Sequence, residues 1–174
     1  RIRDPWFKDT FRAMGQVASH SRFCHLFING LYWGVYDFTE QPTDSFAGNY
    51  FGGQKEDYDV YDQGILRSGT SAAYDTMLRA SNVQNPAGYE QMKRSLDIPE
   101  FIDYMLLHFF VGHQDWGHNK NWYAIRKRVA GPERTFKYIP WDGENLLLDE
   151  DIDRVSDSNV PSGLHVKLIR NAEY

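Results

Sequence analysis

The stretch Asp97-Ile-Pro-Glu-Phe-Ile-Asp-Tyr-Met-Leu-Leu-His-Phe-Phe-Val-Gly-His-Gln-Asp-Trp-Gly-His-Asn-Lys-Asn-Trp-Tyr-Ala-Ile-Arg126 decides the fold. Asp97 is a good N-cap, Pro99 suits a first helical turn and Glu100 completes a capping box. Phe101, Ile102, Met105, Leu106, Phe109 and Phe110 then cover most of a helix surface, so residues 98–111 read as a central, buried helix. The helix opens into a polar loop, Gly112 to Asn121, and a strand follows over 122–126. A second strand over 136–139, joined to the first across Gly131-Pro132, ends at Pro140-Trp141-Asp142-Gly143-Glu144.

The ends of an antiparallel pair lie close together, so the loop before Trp122 and the turn after Ile139 meet. Asp115, Asn119 or Asn121, and Asp142 therefore converge. Carboxylate and amide oxygens suit Mg²⁺ or Mn²⁺, which take one or two carboxylates plus phosphate and water oxygens. A second carboxylate beside such a cation can accept a hydroxyl proton. The plainer reading is that Asp115 and Asn119 close Asx turns and tie the loop to itself.

Upstream, Asp4 as N-cap and Pro5 at the first position open a helix whose apolar face is Phe7, Phe11 and Met14. Residues 23–28 and 31–38 flank Asn29-Gly30, the type I′ hairpin signal. Asp44 is expected to cap a short helix that stops at Gly52-Gly53. Residues 54–72, with Glu56, Asp57, Asp59 and Asp62, read as a solvated loop holding at most one short strand. Helical spacing returns over 72–80 and 89–96.

One domain fits 174 residues. Aromatic residues reach 16%, so rings build the core. A net charge of −5 argues against a nucleic-acid partner, which needs clustered Lys and Arg. Cys24 is the single cysteine, which excludes an internal disulfide and thiolate zinc sites. The longest apolar run, Tyr104 to Gly112, is far short of the ~20 residues of a membrane span. The opening Arg1-Ile2-Arg3-Asp4 reads as an internal segment of something longer.

The constellation resembles a known family. His113-Gln114-Asp115 followed by Asn119 and Asn121 looks like the His-Arg-Asp catalytic loop of protein kinases, and Asp142-Gly143 looks like their metal-binding Asp-Phe-Gly. More closely, His25-Leu-Phe-Ile-Asn-Gly-Leu-Tyr-Trp-Gly-Val-Tyr36, Glu40, Asp115-Trp116 with Lys120-Asn121-Trp122-Tyr123, and Pro140-Trp141-Asp142-Gly143-Glu144 are similar to the CotH kinase family, atypical kinases named after spore coat protein H. The resemblance implies an α+β, protein-kinase-like fold present in part. Residues 1–40 would be the end of the small lobe and the hinge, with Glu40 at the hinge beside the nucleotide, and residues 41–174 the large lobe of a single domain.

It further implies that Asp115 is the catalytic aspartate, that Asp142 and an Asn of the loop hold Mg²⁺ or Mn²⁺, and that ATP lies between hinge and loop. Asn119 stands four residues after Asp115 and Asn121 six, flanking the kinase spacing of five; Asn121 is preferred because it precedes the Trp-Tyr strand. Gln114 replaces the kinase Arg. No G-x-G-x-x-G and no strand Lys precede the first helix, so the groups that grip the phosphates are expected upstream. The implied activity is transfer of the ATP γ-phosphoryl group to Ser or Thr of a secreted or coat protein. Family membership implies a bacterial extracellular, cell-surface or spore-coat location.

Two other classes compete. One is a non-catalytic surface module that uses Trp33, Trp116, Trp122 and Trp141 on glycans or proteins, although such rings are as often core. The other is a metal-dependent nuclease built on His113, Asp115, His118 and Asn119. His108, His113 and His118 recur every five residues, a spacing that does not align zinc ligands on a helix. Asp149 to Asp153 lacks the Gly and Glu positions of an EF-hand and reads as a solvated acidic loop.

Overall fold

The computed structural model describes residues 2–128, 134–156 and 161–174. The Gly131-Pro132 connection lies outside them. The chain is α+β, with two antiparallel sheets and six α-helices among the described residues. In order these are α1 (Arg3–Ala13), β1 (Ser21–Ile28), β2 (Leu31–Thr39), α2 (Asp44–Phe51), β3 (Tyr58–Asp62), β4 (Ile65–Ser68), α3 (Ala72–Arg79), α4 (Pro86–Lys93), α5 (Ile98–Phe110), β5 (Trp122–Lys127), β6 (Lys137–Pro140) and α6 (Leu164–Leu168).

The helices form where expected, with different caps. α1 begins at Arg3 after Ile2, so Asp4 is not its N-cap but a buried first-turn residue turned toward other elements. Thr43, not Asp44, caps α2 by accepting from the Phe46 N–H. The helix expected over 89–96 runs from Pro86 to Lys93, because Asn85 caps it and Pro86 sits at its start. Asp97 caps α5 as expected, but Glu100 does not close the capping box. Its buried carboxylate instead accepts from the Tyr138 N–H at 3.1 Å, joining α5 to β6.

Residues 54–72 are not a solvated loop. They hold β3 and β4, and β3 is an inner strand of the sheet β4-β3-β5-β6, buried at all five positions. Its carboxylates are covered by arginines: Asp59 accepts from the distant Arg126 at 2.9 Å and Arg128 at 3.2 Å, and Asp62 from the nearby Arg67 at 2.8 Å.

α5 lies against β6 and α1. Phe101, Tyr104, Met105, Leu107 and His108 are buried, as are Phe7 and Phe11 on the facing side of α1. Each buried Phe, Leu or Met side chain among them stabilises by roughly 1.5–3 kcal/mol. The burial is one-sided, however: Leu106 and Phe110 are 56% and 76% exposed, so α5 is a flanking helix with a bare edge rather than one enclosed all round. The β1–β2 hairpin turns at Asn29-Gly30, both at positive φ, and forms a sheet of its own with Phe27, Trp33 and Phe38 exposed. Among the described residues no helix is long and apolar enough to cross a membrane.

Candidate active site

Three connections build the site at one end of the β5–β6 pair. The register sets Trp122 opposite Pro140, so Asn121 and Trp141-Asp142 leave the sheet side by side. Beyond α5 the chain turns at Gly112 (φ +54°), and the segment after Asp142 pairs with it: Leu147 N–H donates to the Val111 carbonyl at 2.8 Å and Gln114 N–H to the Asn145 carbonyl at 3.0 Å. α1 closes the third side, where Asp4 Oδ1 accepts from the Gly143 N–H at 2.7 Å.

Within this frame Asp115 Oδ1 accepts from Lys120 Nζ at 2.9 Å. That bond is the largest reason its carboxyl titrates below the usual carboxylate range. Asn121, buried at φ +64°, donates from Nδ2 to the Asp115 carbonyl at 2.6 Å and to its Oδ2 at 3.4 Å. Its Oδ1 enters no hydrogen bond among the described residues.

Asp142 also has a left-handed backbone, φ +53°, a conformation that costs most L-residues about 1–2 kcal/mol and that Asp tolerates better. Its carboxylate enters no hydrogen bond or ion pair among the described residues. Burial, then Glu144, Asp4 and Asp115, push its pKa up, against Lys8. Asp115 and Asp142 thus lie within electrostatic reach of each other.

The other expected residues fall elsewhere. Asn119 is exposed at the β3–β4 turn, lining a cavity with Asp62, Gly64 and Arg67. Glu40, just after β2, closes the base of the hairpin: Oε2 accepts from the His20 N–H at 2.9 Å and the Tyr50 hydroxyl at 2.6 Å. Burial alone would raise its pKa, but those two bonds hold it below the usual range. His113 is fully buried, stacked 5.4 Å from His108, and burial pushes it down to about 4. Of the set His113, Asp115, His118 and Asn119, His113 is therefore a buried ring of the core rather than an open ligand, and His118 and Asn119 are exposed.

Trp116 and Trp122 belong to the core, and Trp141 is half-buried against Tyr123. Asp4, Lys8 and Lys120 are the site residues that local patterns missed. Only the i, i+4 spacing of Asp4 and Lys8 hinted at a pair.

A cation of the Mg²⁺ class fits this donor set. The free Asp142 carboxylate and Asn121 Oδ1 are hard oxygens, and Glu144, Asp4 and Asp115 together outweigh Lys8 in the field at Asp142, which favours a cation there. Among the described residues no three His, Cys, Asp or Glu side chains group closely enough to hold a metal. The remaining ligands would be phosphate and water oxygens, as is usual for this cation.

Comparison with curated proteins returns no match. The sequence model of a family described as CotH kinase protein matches residues 1–167, a span that includes α1, the hairpin, the Asp115 loop and the Asp142 turn. The chain belongs to the CotH kinase family.

Proposed function

We propose that this chain is the core of an atypical, kinase-like phosphotransferase that moves the ATP γ-phosphoryl group to a Ser or Thr hydroxyl of a protein. Residues 1–40 act as the end of a small lobe and hinge, and residues 41–174 as the large lobe. The observation that carries the reading is the Asp142 carboxylate: strained in backbone, unpaired in side chain, and flanked by Asp115 and Asn121 at one end of β5–β6.

Asp142 and Asn121 would hold Mg²⁺ or Mn²⁺, with Asn119, whose side chain lines the cavity beside Gly64 and Arg67, the second candidate amide. The bound cation supplies charge neutralisation at the β- and γ-phosphate oxygens. Asp115, kept ionised by Lys120, orients the acceptor hydroxyl and takes its proton. Lys120 stands where it can exchange the Asp115 carboxylate for a phosphate oxygen. Glu40 serves the hinge by tying the base of the hairpin, at His20, to Tyr50 of α2. A spore-coat or other extracellular location follows the family and goes with this proposal.

The test is ATP binding by the full-length protein with and without Mg²⁺ or Mn²⁺. Asp142→Asn is expected to abolish metal-dependent binding. Asp115→Asn should leave affinity within a few-fold and lower phosphoryl transfer by orders of magnitude, because its role follows binding. Equal ATP affinity in wild type and Asp142→Asn, metal present or absent, would remove the kinase reading and favour a non-catalytic binding module.

A further inference from the structure

Lys8 is 1% exposed, in the first turns of α1. Its ammonium donates to Asp4 Oδ2 at 2.5 Å and to Thr39 Oγ1 at 3.0 Å, and lies 4.5 Å from the centre of the Trp141 ring. One buried cation thus touches α1, the end of β2 next to Glu40, and the residue before Asp142. Its partner Asp4 spends the other oxygen on the Gly143 N–H, the residue after Asp142. The turn that presents the metal-facing carboxylate is therefore gripped on both sides by a single ion pair.

Packing reinforces the grip. Phe7, between the two charged residues, occupies the space a Cβ on Gly143 would need.

We propose that Asp4 and Lys8 form a buried latch through which α1 fixes the Asp142-Gly143 turn, so that Lys8 is a positioning residue for the cation–nucleotide site. The inference rests on the kinase reading above. Lys8 is sealed under Trp141 and cannot reach a phosphate, so it acts through the turn. A buried ion pair is seldom the most stable filling for its volume, since apolar residues of the same size often do as well or better. Fold stability alone gives little reason for a charge here. What the pair provides is direction: a carboxylate held by Lys8 on one oxygen has its other oxygen aimed at the Gly143 amide. Without that bond the left-handed Asp142 has less to hold it against relaxing toward ordinary backbone angles.

The experiment uses the full-length protein with two variants, Lys8→Met and the neutral pair Asp4→Asn/Lys8→Met, which keeps the volume without charge. Three quantities are read: thermal midpoint, hydrogen exchange of the Gly143 amide by NMR, and Mn²⁺–ATP affinity by calorimetry. For the neutral pair we expect a midpoint equal to or above wild type, Gly143 exchange at least tenfold faster, and Mn²⁺–ATP affinity at least tenfold weaker. Lys8→Met alone should give the same losses with a lower midpoint. If it does not fold, the neutral pair decides.

A neutral pair that keeps wild-type Mn²⁺–ATP affinity overturns the latch as a positioning device, and so does unchanged Gly143 exchange. Wild type that binds no Mn²⁺–ATP overturns the kinase reading and the positioning role together. In that case Gly143 exchange still shows whether the bond exists, so the two failures are told apart.

Discussion

A Cβ built on Gly143 would stand 2.7 Å from Phe7 Cδ1, 3.1 Å from Phe7 Cβ and 3.1 Å from Leu146 Cδ1. Phe7 and Leu146 are both fully buried, so neither ring nor branch can swing away cheaply. The glycine answers to the closeness of α1 rather than to its own backbone, which is not left-handed. Gly143→Ala should therefore destabilise by about 1–3 kcal/mol, the usual cost of overpacking. Urea denaturation measures it. Adding Phe7→Leu should make the two changes non-additive, because the second clears space for the first. Purely additive losses would mean that the contact between α1 and the turn is not what excludes a side chain at 143. The same residue-scale logic explains why the sequence singles out Asp142 and Asn121 as candidates and passes over Lys8. The first two sit in a dense run of hydrogen-bonding types, whereas Lys8 looks like any helix-surface lysine until α1 is placed on β6.

At the scale of elements, the hairpin and β3 make opposite cases. Asn29-Gly30 announces the β1–β2 turn because both residues need positive φ, which they adopt at +52° and +81°. Local chemistry suffices there, and the hairpin was legible. β3, Tyr58-Asp-Val-Tyr-Asp62, reads as loop because acidic residues are poor in strands. It becomes an inner strand only because Arg126 and Arg128 on and beyond β5, and Arg67 on β4, neutralise Asp59 and Asp62. The two partners of Asp59 lie 67 and 69 residues away, and no window of sequence displays them; only Arg67, five residues from Asp62, is local. Legibility and stability then run in reverse order. The hairpin is a two-stranded sheet with apolar side chains in solvent, an arrangement marginal in isolation, whereas β3 pairs on both edges. Amides of residues 24–36 should exchange with solvent at least a hundredfold faster than those of Tyr58–Asp62 and residues 122–125. Hydrogen exchange with mass spectrometry checks this, and comparable protection in the two regions would show that something covers the hairpin.

At the scale of the molecule, α1, α5, the Asp115 loop and the Asp142 turn meet around two stacked imidazoles, His108 and His113, with Phe7 edge-on to both. His108 Nδ1 lies 2.7 Å from the Tyr104 carbonyl, which makes Nδ1 the protonated nitrogen, while its Nε2 is buried without a hydrogen-bond partner. Burial, then the neighbouring His113, hold its pKa well below the ordinary value of 6.5; Arg154 pushes the same way and the Tyr104 carbonyl opposes. The sign follows from linkage. Below pH 6.5 the unfolded chain takes up a proton on His108 that the folded protein refuses, so stability falls as pH falls, at up to about 1.4 kcal/mol per pH unit. Glu100 acts in the other direction. Burial, only partly offset by the Tyr138 N–H, raises its pKa well above 4.5, so its contribution grows as pH falls toward 4.5. The wild-type curve mixes these two with the other buried imidazoles, His113 and His165, which burial also pushes down, and a difference measurement isolates His108. His108→Leu removes the refused proton and leaves Glu100 in place. The stability of this variant relative to wild type should therefore rise steadily from pH 7 to pH 5, by about 1.4 kcal/mol per unit once below 6.5. Denaturant unfolding at a series of pH values reads it directly. A difference that stays flat over this range would mean that His108 accepts its proton in the folded protein, and that the junction between α1, α5 and the Asp115 loop is open to water.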